Sequence, residues 1–291
     1  MAPPKLTPTT KTHTDTYPFI SPLSIKNPPL LSVLITGASK GIGLATAIAF
    51  AQAGFPRIAI FARSDLSNAE SKVLAAAKEA GRPPPEVLKL QGSISSKDDV
   101  SQAFSTLSKT WSGKLDILIN NASRLEEWKS LHETDVDDWW ATWELNLKGT
   151  FLVTRAAIPL LLKGIQKTVV TITSAGAFVS IPGASAYQGS KTAQVRFTDF
   201  LVAEYAEQGL LAYTIHPCGA KTETALNMPE SMYFMLTETV ELAADTLVWL
   251  TRERREWLQG RFVFGPSDME ELEGLKGRIV EGDLMKLKLI A

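Results

Sequence analysis

Tyr187 and Lys191 stand four residues apart in Ser185-Ala186-Tyr187-Gln188-Gly189-Ser190-Lys191, a stretch that continues in helix-compatible residues to Gly209. At that spacing two side chains leave a helix from one face, a turn apart. An ammonium beside a phenol favours the phenolate, so Tyr187 is expected to titrate below its ordinary value of about 10. Such a pair can exchange a proton with a carbonyl or alcohol oxygen near neutral pH. Most Tyr-x-x-x-Lys pairs are plain helix faces; the weight here comes from what lies upstream.

Leu30-Leu31-Ser32-Val33-Leu34-Ile35 is a short apolar run ending in Thr36-Gly37-Ala38-Ser39-Lys40-Gly41-Ile42-Gly43, followed by an alanine-rich helix over 44–54. Strand, glycine turn and helix N-terminus in that order make a phosphate site. Glycine lets the backbone close on a pyrophosphate, and free amides with the helix dipole favour its charge. Gly37, Ser39, Lys40, Gly41, Ile42 and Gly43 are the candidate contacts. The second strand, over 57–61, runs into Ala62-Arg63-Ser64. An acidic side chain there would accept from an adenosine ribose hydroxyl and repel a 2′-phosphate. This chain offers Arg63, with Lys40 in the glycine loop, and two cations without a carboxylate suit a phosphorylated ribose. NADP(H) is therefore expected over NAD(H), with Asp65 as the residue that argues the other way.

The elements that must hold these groups alternate. A helix over 68–80 leads to a third strand over 86–91 and Gly92-Ser93-Ile94. A helix over 100–111 leads to a fourth strand over 115–119 and Asn120-Asn121-Ala122-Ser123. A long helix over 138–162 carries Asn146, a polar residue that would be costly to bury without partners. A β-branched strand over 168–173 then delivers Ser174, and a helix over 241–251 and a strand over 261–264 follow. This alternation predicts an α/β fold with a doubly wound parallel sheet in three layers. Ligands of such sheets bind beyond the carboxyl ends of the strands, so the glycine turn, Arg63, Ser93, Asn120 and Ser174 should line one crevice.

Composition narrows the classes. The 291 residues carry 30 basic and 31 acidic side chains, a formal charge of -1, which points to neither nucleic acid nor an anionic membrane as partner. One cysteine, Cys218, excludes an internal disulfide and fits a reducing, cytoplasmic compartment, and three histidines with it make a structural zinc site improbable. No apolar run approaches the length of a membrane span. Residues 1–29 hold seven of the sixteen prolines and read as an extended arm, without the features of a signal or transit peptide. Residues 30–267 form the expected nucleotide-binding and catalytic domain, and 268–291 a tail whose segment 284–290 alternates apolar and charged residues like an edge strand.

Taken in order, Thr36 to Gly43, Asn120 to Ala122, Asn146, Ser174, Tyr187-x-x-x-Lys191, Pro217-Cys218-Gly219 and Thr222 resemble the motifs of the single-domain short-chain dehydrogenase/reductase family, over about residues 30–265. The resemblance implies an oxidoreductase acting on a ketone or aldehyde, or on the matching secondary alcohol. Tyr187 would be the general acid/base, and Ser174 would polarise the substrate carbonyl. Lys191 would depress the Tyr187 pKa and hold the nicotinamide ribose. Asn146 would fix a water that links Lys191 to solvent. Asn120, Ala122, Pro217, Gly219 and Thr222 would line the nicotinamide side, and Ser93 the adenine. A homodimer or homotetramer paired through the long helices is implied as well.

The chain departs from the family pattern at four points, one of which, Gly189 with Ser190, is acceptable variation. Ser123 stands in place of a glycine, where it would crowd the nicotinamide side. Ser93 stands in place of an aspartate, where it would weaken adenine binding, and Cys218 in place of a glycine. A lid over about 220–240, with Met228, Met232, Met235, Tyr233 and Phe234, would take a largely apolar small molecule; packing of those residues on the core is the alternative. Arg124, Glu126 and Trp128 are further candidates for the pocket wall, and His216 reads as a structural hydrogen bonder. Two other functions stay open on the same fold: a cyclase, dehydratase or isomerase that uses Tyr187 without net redox, and a dinucleotide sensor without catalysis.

Overall fold

Along each central strand, successive apolar side chains enter opposite layers. Val33 and Ile35, Ile58 and Ile60, Ile117 and Ile119, and Val170 and Ile172 pack on one face. Leu34, Ala59 with Phe61, Leu118 and Val169 pack on the other. Strands buried on both faces need helices on both, which is the condition for a parallel sheet. The computed structural model describes residues 6–289 and has seven parallel strands in the order β3-β2-β1-β4-β5-β6-β7. They are β1 (Ser32–Thr36), β2 (Arg57–Ala62), β3 (Glu86–Gln91), β4 (Ile117–Asn120), β5 (Thr168–Ile172), β6 (Leu211–His216) and β7 (Phe262–Phe264). The order reverses direction between β1 and β4, which opens the crevice at their carboxyl ends.

Helices α1 (Gly41–Gln52), α2 (Ser67–Glu79) and α7 (Val240–Thr251) cover one face; α3 (Lys97–Thr110), α5 (Thr150–Leu161) and α6 (Ser185–Tyr205) cover the other. Helix α4 (Val136–Trp143) runs into α5 through a π-helical turn, Glu144–Gly149, where one continuous helix was expected. No helix among the described residues is long and apolar enough to cross a membrane. At the opposite end of the sheet from the crevice, buried Asp116 accepts from Ser32 N and Oγ, both at 2.8 Å, and from Ile165 N at 2.7 Å. These three hydrogen bonds fasten the strand starts.

The proline-rich arm lies on the domain. Ile20 is fully buried in the α1/α7 layer, Thr12 bridges to Ser267, and Thr239 N donates to Thr14 O at 2.9 Å. Its first five residues fall outside the described part of the chain. Helices α8 (Met269–Gly274) and α9 (Lys276–Glu281) follow the last strand. The edge strand expected over 284–290 does not form within the described residues. Asp283 and Met285 adopt φ of +44° and +63°, a left-handed turn that breaks an extended run, and only the Met285 carbonyl reaches the sheet, accepting from Phe262 N at 2.8 Å.

Candidate active site

The glycine turn follows β1 directly. Gly37 sits at φ +67°, and a Cβ on Gly43 would stand 2.3 Å from the Gly37 carbonyl oxygen, so only glycine allows the turn to close so tightly. Asn121, just past β4, buttresses it by donating from Nδ2 to Thr36 O at 2.8 Å and Gly37 O at 3.3 Å. Thr36 Oγ1 accepts in turn from Asn121 N and Ala122 N, each at 3.0 Å. Helix α1 begins at Gly41 with no side-chain cap, so its first amides remain available at the positive end of the dipole. Thr222 lies against Gly41. A free helix N-terminus, a tight glycine cradle and a threonine over it fit an anionic dinucleotide.

Ser39 and Ile42 lie in this turn and at the start of α1. Lys40 pairs with Glu223 across the mouth of the crevice, through exposed side chains. Arg63 follows β2 and makes no ion pair among the described residues. Asp65 precedes α2 and accepts from Ser67 N at 3.2 Å and Ser67 Oγ at 3.0 Å. Ser93 donates its backbone N–H to Asp99 Oδ2 at 2.7 Å. Asn120 stands at its strand end, but its side chain turns into the helical layer, where Nδ2 donates to Thr154 Oγ1 at 2.8 Å. The crevice-side role expected of Asn120 falls, for its side chain, to Asn121. Pro217 and Cys218 are buried beyond β6, and Gly219 N donates to Glu238 Oε2 at 2.7 Å.

Ser174, two residues past β5, is extended, with its Oγ accepting from Gly176 N at 3.0 Å. Tyr187 is the third residue of α6. One turn on, Lys191 is almost wholly buried; its Nζ lies 5.5 Å from the Tyr187 ring centroid and donates to Ile172 O at 2.9 Å. Serine, phenol and ammonium thus meet at the carboxyl end of β5. The expected depression of the phenol is not what this environment produces. Burial pushes Tyr187 up, the Ser174 hydroxyl draws it back, and the Glu126 carboxylate adds to the rise. Burial also draws Lys191 down to about 7, so at neutral pH its charge is present only part of the time. Closeness of the pair was read correctly; loss of hydration outweighs it.

Asn146 occupies the π-helical turn, fully buried. Its Oδ1 accepts from Arg124 N at 2.8 Å and Ser123 Oγ at 3.2 Å, while Nδ2 donates to Arg124 O at 2.9 Å and Ser190 Oγ at 3.0 Å. Its carbonyl accepts from Gln194 Nε2 and Thr150 Oγ1, both at 2.6 Å. An amide has two donors and two acceptor sites, and all are used by protein groups. Gln194, one turn past Lys191, donates to the Asn146 carbonyl. Ser123 is part of this network as a donor to Asn146.

Sequence reasoning missed Asn121, Ser190 and Gln194, and left Glu126 as a wall residue. Glu126 is 1% exposed and accepts from Tyr187 N at 2.9 Å. In the lid region Phe234 and Met235 are exposed and Leu236 is buried, so the aromatic tip does not pack on the core. His216 stacks on Phe264, and burial draws its imidazole down to about 4, so it is neutral.

Residues 32–232 match the family model described as short chain dehydrogenase. Short chain dehydrogenase mpl6 of Monascus purpureus is 52% identical over 280 residues, covering 96% of this chain and 95% of that protein. Short chain dehydrogenase andI of Emericella variicolor is 41% identical over 257 residues, 88% of each chain. Among solved structures, a 3-ketoacyl-ACP reductase from Sinorhizobium meliloti 1021 superposes with a TM-score of 0.68 at 26% identity, over 81% of this chain and 98% of that one.

Proposed function

The chain belongs to the short chain dehydrogenase family, and from that premise we propose that it is an NADPH-dependent carbonyl reductase acting on a largely apolar small molecule. The observation that carries the reading is the meeting of Ser174, Tyr187 and Lys191 at the end of β5, beside the crevice that the glycine turn opens. A reduced nicotinamide, when bound, supplies hydride to the carbonyl carbon. Ser174 donates to the carbonyl oxygen as charge develops on it. Tyr187 gives its phenolic proton to that oxygen, which leaves an alcohol and a phenolate beside Lys191. Lys191, drawn by burial to about 7, then returns a proton to the phenolate.

The amides of Gly37, Ser39, Gly41, Ile42 and Gly43 suit a pyrophosphate. Ser93 lies on the adenine side, and Asn120, Ala122, Pro217, Gly219 and Thr222 on the nicotinamide side. Arg63 and Lys40 would take the 2′-phosphate, Lys40 by exchanging Glu223 for it. Asp65, the residue that argued for NADH, is committed to Ser67. Exposed Phe234, Met235 and Leu226 support an apolar substrate under the lid. The 3-ketoacyl-ACP reductase likeness supports reduction of a carbonyl. Exposed Trp140, Phe151 and Phe200 on α4, α5 and α6 support pairing of two or four copies through these helices.

The test is a tryptophan-quenching titration with NADPH and NADH, followed by a ketone and quinone panel. NADPH should bind at least about tenfold tighter, Arg63→Ala should remove most of that margin, and Tyr187→Phe should lower turnover about 10²- to 10⁴-fold. NADH preference, or binding of NADPH without turnover of any carbonyl, would overturn the proposal.

A further inference from the structure

The loop that leaves β6 closes on itself. Gly219 N donates to Glu238 Oε2 at 2.7 Å, and Glu238 N donates back to Gly219 O at 3.0 Å. A Cβ on Gly219 would stand 2.3 Å from Met235 O, so the two ends touch through backbone. Residues 220–237 between them form the lid, whose near end lies over the glycine turn, with Thr222 against Gly41 and Glu223 paired with Lys40. Its far end has a different support. Thr239, which follows Glu238, donates its N–H to Thr14 O at 2.9 Å and its hydroxyl to Asp15 Oδ1 at 2.7 Å. Both acceptors belong to the N-terminal arm, Asp15 lying 224 positions earlier in the chain. As the N-cap of α7, Thr239 needs only its oxygen, which accepts from Leu242 N at 3.3 Å. The hydroxyl proton given to Asp15 is a contact beyond the cap.

The arm is fixed at a second place, behind the start of the lid. His13 N donates to Pro266 O at 2.7 Å, Asp268 N donates to Lys11 O at 3.1 Å, and His13 Nε2 lies 2.8 Å from Asp268 Oδ2. The turn held there follows β7 and packs on the end of the strand that feeds the lid. Gly265 N donates to His216 O at 2.8 Å, and a Cβ on Gly265 would meet Pro217 O at 2.0 Å. Arm residues 11–15 thus bridge the two segments that support the ends of the lid. Hinges sit at element ends that absorb a change in backbone angles, and Thr239, between lid and α7, is such a position.

We propose that the N-terminal arm anchors the substrate lid, with Asp15 as a positioning residue that holds Thr239, and through it the Glu238–Gly219 closure, where the lid covers the crevice. This rests on the reading of 220–237 as a lid over the substrate. The arm makes no hydrogen bond to the glycine turn or to the Arg63 side chain among the described residues. Loss of the anchor therefore falls on carbonyl binding and not on dinucleotide binding.

The experiment compares Asp15→Ala and Asp15→Asn with the natural chain in two readouts. The first is the rate at which trypsin cuts after Lys221, an exposed lid residue, with the fragments identified by mass. Cutting follows the population of the open form when the lid opens and closes quickly. The second is the kinetics of NADPH-dependent carbonyl reduction, with NADPH affinity taken from tryptophan quenching. Asp15→Ala should be cut about fivefold faster, the loss expected of one hydrogen bond. Its carbonyl KM should rise about threefold, while kcat and NADPH affinity stay within about twofold, because the acid/base groups and the phosphate cradle are untouched. Asp15→Asn keeps an acceptor for Thr239 and should be cut at close to the natural rate. Equal cutting after Lys221 in Asp15→Ala and the natural chain, with or without a lower melting temperature, would reduce the arm to a cover and overturn the proposal. If no carbonyl is reduced, the reductase reading fails, and cutting after Lys221 still decides the role of Asp15.

Discussion

Asp245 lies on the buried side of α7 and is 6% exposed; its carboxylate accepts from the Thr16 hydroxyl of the N-terminal arm. Burial raises its pKa from 3.8 to about 6, the Thr16 hydrogen bond pulls the other way, and Glu241 and Asp15 add to the rise. The folded chain therefore holds a proton that the unfolded chain releases between about pH 4 and pH 6. Wherever the folded state binds more protons, stability falls as pH rises, so this group's contribution is present below about pH 4 and lost by about pH 6. Two pKa units correspond to about 3 kcal/mol. Asp245→Asn fixes the neutral form and keeps an acceptor for Thr16. Urea unfolding should find the variant more stable by about 2–3 kcal/mol at pH 8, near parity at pH 4, with the gap opening between them. At about 2 °C per kcal/mol for a chain of this length, the melting temperature at pH 8 should rise by about 5 °C. A variant less stable than the natural chain at pH 8, or a difference that does not change with pH, would refute the reasoning. The first result would mean that the charged carboxylate gains more from the arm than its burial costs, the second that its pKa is the same in the folded and unfolded chains.

Two further outcomes test the site and its assembly. Gly43→Ala puts a Cβ 2.3 Å from Gly37 O and 2.5 Å from Asn121 Nδ2, so the turn must open and the phosphate amides disperse. NADPH affinity measured by tryptophan quenching should fall about 100-fold, the equivalent of one charge-assisted hydrogen bond, and binding within threefold of the natural chain would speak against the cradle. Trp140→Glu with Phe151→Glu, at positions 57% and 45% exposed, should convert a dimer or tetramer to monomer in light scattering; an unchanged mass would place the contact elsewhere.

The sheet was legible because parallel strands covered on both faces are written as continuous apolar runs, and β2 and β5 fall within a residue of the expected ranges. The proximity of Tyr187 and Lys191 was legible because a four-residue spacing on a helix fixes its own geometry. What distance in the chain hides was not. Lys40 and Glu223 meet across 183 positions, and no local pattern announces that. The π-helical turn at Glu144–Gly149 adds a residue to one turn, and a hydrophobic period taken over a long helix does not register it. The expected sign of the Tyr187 shift rested on the neighbouring charge alone. A sequence shows that Lys191 is near but not that both groups are dry, and burial reverses the result.

The departures from the family pattern follow the same logic once their neighbours are known. Ser123 was expected to crowd the nicotinamide side, yet its hydroxyl donates to Asn146 Oδ1. A glycine there would leave that oxygen with Arg124 N alone. Ser190, accepting from Asn146 Nδ2, and Gln194, donating to the Asn146 carbonyl, complete the arrangement from the helix that carries Tyr187 and Lys191. The π-helical turn therefore joins α6 through direct protein contacts, Asn146 bonding to both Ser190 and Gln194. A buried amide with every site filled is rigid, because any rotation would strand a donor or an acceptor away from water. Asn146 is thus held between the segment after β4 and helix α6, which carries Tyr187 and Lys191.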